Sequence, residues 1–161
     1  MFCRQIELDL HHYWNDASWN AVRTYVDKGG KVFYTMDEME PNNVNALTNK
    51  FLTGLLGQPL LIAKPSENYG VYKFTDTQEG ENDVAILDGV FGDVRPYYWG
   101  QDRVGTGYIN GYTGNDVIVY SNHAQNMVAP SPAGMSFFRH KTKSFFFIGD
   151  GGFFLTMLQE K

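Results

Sequence analysis

Residues 144–155 read SFFFIGDGGFFL. An apolar run, Ser144–Ile148, meets a turn made of Gly149, Asp150, Gly151 and Gly152, and a second apolar run starts at Phe153. A short apolar run bounded by glycines is the pattern of a buried strand. The turn then opens a helix predicted over Phe153–Glu160, with Asp150 placed to cap it. A strand, a glycine turn and a helix in that order also suit an anion site made from backbone N–H groups. The G-x-G-x-x-G spacing of dinucleotide binding is absent, and the reading adopted is a tight turn and close helix packing. The stretch therefore predicts the closing strand of an α/β sheet.

Upstream of it, Met135–Phe138 reads as a short strand, and Arg139, His140, Lys141 and Lys143 form a basic turn. Asp116–Tyr120, DVIVY, is a strong strand signal, with Ser121, Asn122, His123, Gln125 and Asn126 following at its end. Met127–Gly134 contains Pro130 and Pro132 and reads as loop.

The first third of the chain alternates helix and strand. Residues 5–14, QIELDLHHYW, alternate in part and predict a strand with His11 and His12 near its end. Trp19, Val22, Tyr25 and Val26 recur at helical spacing, with Asp16 or Ser18 as the cap and Gly29 and Gly30 as the stop. Lys31–Met36 then reads as a buried strand. Helix, paired glycines and apolar strand form half of a βαβ crossover, which implies parallel pairing. Asp37, Glu38 and Glu40 could gather a metal or a sugar, but acids in this position favour the N-terminus of a following helix. That helix has Pro41 in its first turn, a stripe of Val44, Leu47, Phe51, Leu52 and Leu55, and Gly57 as its end.

The middle of the chain changes character. Residues 59–74 predict two short strands with a turn between them. TDTQEGEND, Thr75–Asp83, reads as a solvated hairpin or surface loop, and Val84–Leu87 as a short strand. Asp88–Gly114 is dense in glycine and interleaves Tyr97, Tyr98, Trp99, Tyr108 and Tyr112 with Arg95, Gln101, Asp102, Arg103 and Asn110. It predicts a long loop or an irregular β-extension.

The length, 161 residues, suits a single domain over 1–161, with 64–115 as a loop- and hairpin-rich insertion. Hydrophobic content of 43% with 19% charged residues is globular. A net charge of −5, with Lys and Arg scattered apart from that one short basic turn, argues against nucleic acid as a partner. No run reaches the roughly 18 apolar residues of a membrane span. MFCRQIELDL lacks the basic start and apolar core of a signal peptide. The single cysteine, Cys3, permits no internal disulfide and stands outside any nucleophile elbow. Neither a metal nor a cofactor is expected.

Two segments carry a family likeness: Trp19–Tyr34, with its YVDKGGKVFYT core, and the closing FRHKTKSFFFIGDGGFF. Together they resemble the class I glutamine amidotransferase-like, flavodoxin-like fold. More narrowly they resemble domains of Bacteroides polysaccharide-utilisation proteins, in which HYWNDASW would match a strand end and helix start. The resemblance implies a three-layer α/β sandwich with a mostly parallel central sheet, carrying here a β-rich aromatic insertion and lacking the first βα units. An edge left open by such a loss would pair with a second copy, giving a homodimer. The catalytic Cys elbow of that family is absent.

The functional expectation is a non-catalytic accessory or binding domain in glycan handling. Tyr97, Tyr98, Trp99, Asp102, Tyr108 and Tyr112 are the candidate ligand contacts, because flat rings stack on sugar faces and polar groups orient the hydroxyls. The same rings could instead pack the loop down or form a subunit face. The alternatives are a hydrolase of glycosides, esters or amides, with His123 and Asp150 as candidate catalytic residues, and a structural or oligomerisation domain.

Overall fold

Asn15 opens the first helix: its side-chain oxygen accepts from the backbone N–H groups of Ala17 and Ser18 at 3.0 and 3.1 Å. Neither Asp16 nor Ser18 is the cap. Helix α1 runs Asp16–Asp27, and α2 runs Val44–Leu56. Gly29 and Gly57 stand just past their ends at φ +85° and +70°, the left-handed region that lets glycine stop a helix. The structure is a computed structural model describing residues 15–35, 44–59, 61–63, 71–90, 92–99, 108–125 and 133–149. The predicted strand at 5–14, the acids at 37–40, the second apolar run of the opening stretch and the C-terminal helix lie outside them.

The described residues form ten strands. They are β1 (Val32–Thr35), β2 (Leu61–Ala63), β3 (Val71–Lys73), β4 (Asp88–Gly89), β5 (Gly92–Asp93), β6 (Tyr98–Trp99), β7 (Tyr108–Asn110), β8 (Val117–Gln125), β9 (Ala133–His140) and β10 (Phe145–Ile148). The main sheet runs β1-β10-β9-β8-β3-β6, with β7 joined to β9 and β2 to β7; β4 and β5 form a separate hairpin. Strands β3, β6 and β7, all from residues 64–115, belong to the main sheet.

The expectation of a mostly parallel sheet is corrected. Only β1 with β10 is parallel among the described strands; every other described ladder is antiparallel. The reason lies in the connections. Parallel neighbours need a crossover of about a dozen residues or more, usually a helix. β9 and β10 are joined through Lys141–Ser144, too short for anything but a reversal. The two described helices beyond α2, α3 (Gln78–Asn82) and α4 (Val84–Leu87), have 5 and 4 residues and serve as no crossover. They also correct two local expectations, since TDTQEGEND and Val84–Leu87 read as loop and strand. The predicted basic turn shifts as well: Arg139 and His140 are the end of β9.

Strand alternation gives the sheet two unlike faces. On one, Val117, Phe138, Phe145 and Phe147 pack against Trp19 and Val26 of α1 and Phe51, Leu52, Leu55 and Leu56 of α2. Phe138 and Phe147, directly opposed across β9 and β10, stack with centroids 4.9 Å apart. On the other face, Leu87, Trp99, Tyr120, Phe137 and Ile148 form a second core beneath the short helices.

Candidate functional site

The aromatic segment divides sharply. Trp99 is buried on edge strand β6, donating its indole N–H to Ser121 Oγ at 3.0 Å. Ser121 in turn donates to the Lys73 carbonyl at 2.6 Å. Tyr108 is buried on β7, its ring lying where a side chain at Gly134 would stand, so that position is open only to glycine. Tyr112 is half-buried against the helix-side core, and its hydroxyl accepts from the Asp116 N–H at 2.7 Å. Tyr97 and Tyr98 differ from these: they are 63% and 49% exposed. Asp102 and Asp150 lie outside the described residues. His123 stands on β8 in register with Ala133, and its side chain is likewise not described.

The approach to the two exposed tyrosines is held by local bonds. Arg95 grips Asp93 with two side-chain bonds, Nε to Oδ1 at 2.8 Å and Nη2 to Oδ2 at 2.6 Å, and the Arg95 N–H reaches the same Oδ1 at 3.0 Å. The hydrogen bonds from Arg95 hold the Asp93 carboxyl below its usual range. The Tyr97 N–H donates to the Val94 carbonyl, and the Phe74 N–H donates to the Tyr97 carbonyl. Tyr98 stands opposite Lys73 of β3. The rings are thus mounted on a fixed backbone.

A second polar constellation lies under the short helices, at an irregularity of β8. The register slips between Val119 and Ser121, which leaves both Tyr120 and Ser121 buried. Asp83, at the junction of α3 and α4, receives the Tyr120 hydroxyl and the Arg139 Nε, each at 2.6 Å. Burial works against the Asp83 charge, yet the bonds from Arg139 and Tyr120 outweigh it and hold the carboxyl below its usual value. Burial, reinforced by the hydrogen bond to Asp83, pushes the Tyr120 phenol up. A phenol held protonated this firmly, with no exposed surface, is a bolt rather than a reactive group. Thr77 caps α3 by accepting from Gly80 N–H at 3.0 Å and donates its hydroxyl to the Val119 carbonyl. Asp76 pairs with β8 on both sides of the slip, its N–H on the Tyr120 carbonyl and its Oδ1 receiving the Asn122 N–H, each at 2.9 Å.

His140 is buried at the end of β9, and its Nδ1 accepts from the N–H groups of Thr142 and Lys143 at 3.1 and 3.2 Å. That fixes the proton of the neutral ring on Nε2. Burial, with the nearby Lys143 charge, lowers its pKa. Among the described residues no group of three or more His, Cys, Asp or Glu is arranged to hold a metal ion, and no described helix is long and apolar enough to cross a membrane.

Sequence reasoning did not find the Asp83, Tyr120 and Arg139 constellation, whose members are separated by 37 and 19 positions. The signal open to it was weak: a tyrosine at an otherwise aliphatic strand end, and an acid in a segment read as solvated. No protein-family model, curated protein or solved structure matches the chain.

Proposed function

We propose that the chain is a non-catalytic binding domain for carbohydrate, with Tyr97 and Tyr98 as its contact residues. The observation that carries this reading is the exposure of these two rings on a backbone pinned by the buried Trp99 and by the Arg95–Asp93 clasp. Fixed tyrosines offer flat apolar area at small entropic cost, which suits the C–H faces of a sugar ring. Lys73, paired with Tyr98 across the strands, supplies a donor for hydroxyls beside the ring. The likeness of Trp19–Tyr34 and of the closing segment to domains of polysaccharide utilisation motivates the choice of ligand class.

The test is calorimetric titration with a panel of soluble oligosaccharides. Wild type binds at least one of them, and the Tyr97→Ala/Tyr98→Ala double variant weakens that binding roughly tenfold, or about 1.4 kcal/mol, with an unchanged melting temperature. Wild type binding no member of the panel, or the double variant binding as wild type does, defeats the reading. Trp99 is unsuited to this test because its removal opens the core.

A second reading is favoured by Val90, which is 95% exposed in the β4–β5 turn. With Tyr97 and Tyr98 it would serve as the contact face of a homodimer. Sedimentation of wild type and Val90→Asp separates the two: a dimer dissociated by the substitution supports self-association, and monomers in both remove it.

A further inference from the structure

The turn between β9 and β10 forms one wall of a groove of about 230 Å³. Its lining includes Arg139, His140, Lys141 and Lys143 with Thr142, Ser144 and Phe146. Among the described residues no carboxylate lines it. Phe146 is half-buried and stacks on the more exposed Phe33 of β1, centroids 6.0 Å apart and planes 10° from parallel. Ile86 of α4, also exposed, joins the lining. The groove therefore joins an apolar wall to a rim of donors.

Its three cations are held at the rim by carboxylates that stand outside it. Lys141 meets Glu79 and Lys143 meets Asp27, each at 2.7 Å, while Arg139 is fixed by Asp83. The two lysine pairs are solvent-exposed, with the carboxylate side chains 48% and 46% accessible. Exposed pairs of this kind are weak and readily exchanged. The Arg139 pair is more enclosed and stays. Its Nε serves Asp83 and its Nη1 the His140 carbonyl at 3.3 Å, leaving Nη2 without a bond to any described residue.

We propose that this groove binds an oxyanion, carboxylate or phosphate, carried on a body no larger than one ring. The anion takes the place of Glu79 and Asp27 on Lys141 and Lys143 and receives the free Nη2 of Arg139, and the ring lies against Phe146. Size sets the limit: drug-sized ligands occupy sites of roughly 300–1,000 Å³, so 230 Å³ admits a single ring with its anionic group. The site lies four strands along the sheet from β6, roughly 20 Å at the usual strand spacing, so it does not depend on Tyr97 and Tyr98.

The experiment is an amide NMR titration of the full chain with four probes: sodium glucuronate, sodium benzoate, inorganic phosphate and glucose. Glucuronate or benzoate produces saturable shifts at Thr142, Lys143 and Ser144 that weaken several-fold as salt is raised, and glucose produces none. Saturation with glucuronate but not benzoate assigns the body as a sugar, and the reverse assigns it as an aromatic ring. Lys141→Gln/Lys143→Gln weakens binding roughly tenfold with the rest of the spectrum in place. Asp27→Asn/Glu79→Gln strengthens it, because the competing carboxylates are gone, and Tyr97→Ala/Tyr98→Ala leaves it unchanged. The proposal is overturned if neither ring-bearing anion saturates, if phosphate alone binds as tightly as both, if glucose shifts the same amides, or if Asp27→Asn/Glu79→Gln weakens binding.

Discussion

The two faces of the sheet are held by different physics. Beneath α1 and α2 the core is aromatic and aliphatic: Phe138 and Phe145 touch at 6.3 Å, Phe145 and Phe51 at 5.8 Å, and Phe51 and Trp19 at 4.9 Å between centroids. Across the sheet, the smaller core of Leu87, Trp99, Tyr120, Phe137 and Ile148 is threaded with polar bonds from Asp83, Arg139 and Ser121. The difference follows from the covering pieces. Helices of 12 and 13 residues bring an apolar stripe long enough to stay down by burial alone. Helices of 5 and 4 residues are below the length at which a helix is stable by itself and bring few apolar side chains. Directional bonds to the sheet must make up the deficit, and a slip in β8 supplies the partners.

If that contrast is right, the largest loss of stability comes from the apolar face. Phe138 has no exposed surface and sits between Phe145 and Phe147. Phe138→Ala should cost about 3–5 kcal/mol, read from the denaturant midpoint. A loss no greater than that of a surface substitution would show that this core is not the main support.

The next effect tests the polar face. Asp83→Asn keeps the shape and removes the charge that receives Tyr120 and Arg139. It should cost about 3 kcal/mol at pH 7. The sign with pH follows from the lowered carboxyl value. The contribution is fully present above the unfolded carboxylate value of about 3.9 and is lost as pH falls through the lower folded value. Wild type should therefore lose stability below about pH 4 more steeply than Asp83→Asn does. Parallel acid profiles would break the assignment.

Ser121→Ala should be smaller, about 2 kcal/mol. It removes the hydroxyl that links the Trp99 indole to the Lys73 carbonyl, and so loosens β6 on β3. Tryptophan fluorescence should shift and exchange of the β6 amides should quicken, while amides of α1 and α2 keep their protection. Uniform acceleration across both faces would mean that the two are not separately held.

The same contrast explains what could be read from the residues. Helical spacing at Trp19, Val22 and Val26, and at Phe51, Leu52 and Leu55, identified the helices because burial imprints periodicity on sequence. The runs DVIVY and SFFFI identified β8 and β10 for the same reason. The parallel expectation came from the family resemblance, together with the one helix-to-strand unit at the start of the chain. Strand order depends on connections, and the described residues after 57 hold no helix long enough to cross over. TDTQEGEND was illegible because its docking rests on Thr77, Asp76 and Asp83, polar residues whose partners are 37 to 56 positions away. The aromatic segment was legible as a candidate and not in detail: composition marks five rings, and only packing separates Tyr97 and Tyr98 from the buried Trp99 and Tyr108.

The smallest effect lies at His140, where the two faces meet the turn. Its neutral ring accepts two backbone N–H groups through Nδ1, a role that protonation destroys. Burial lowers its pKa, Lys143 adds to this, and Asp116 and Asp27 oppose it only in part. Between the lowered folded value and about 6.5, the ordinary value, the unfolded chain binds more protons than the folded one, so stability rises with pH there. The contribution is whole above about pH 6.5 and fades as pH falls toward the folded value. Asn at this position keeps an acceptor near that of Nδ1 and cannot titrate. Denaturant midpoints of wild type and His140→Asn should then converge as pH falls from about 7.5 to 5.5, because wild type alone loses this contribution. The difference between the two proteins removes the other three histidines from the comparison. A gap that stays constant across the window would mean that the turn is held by its backbone and not by the imidazole.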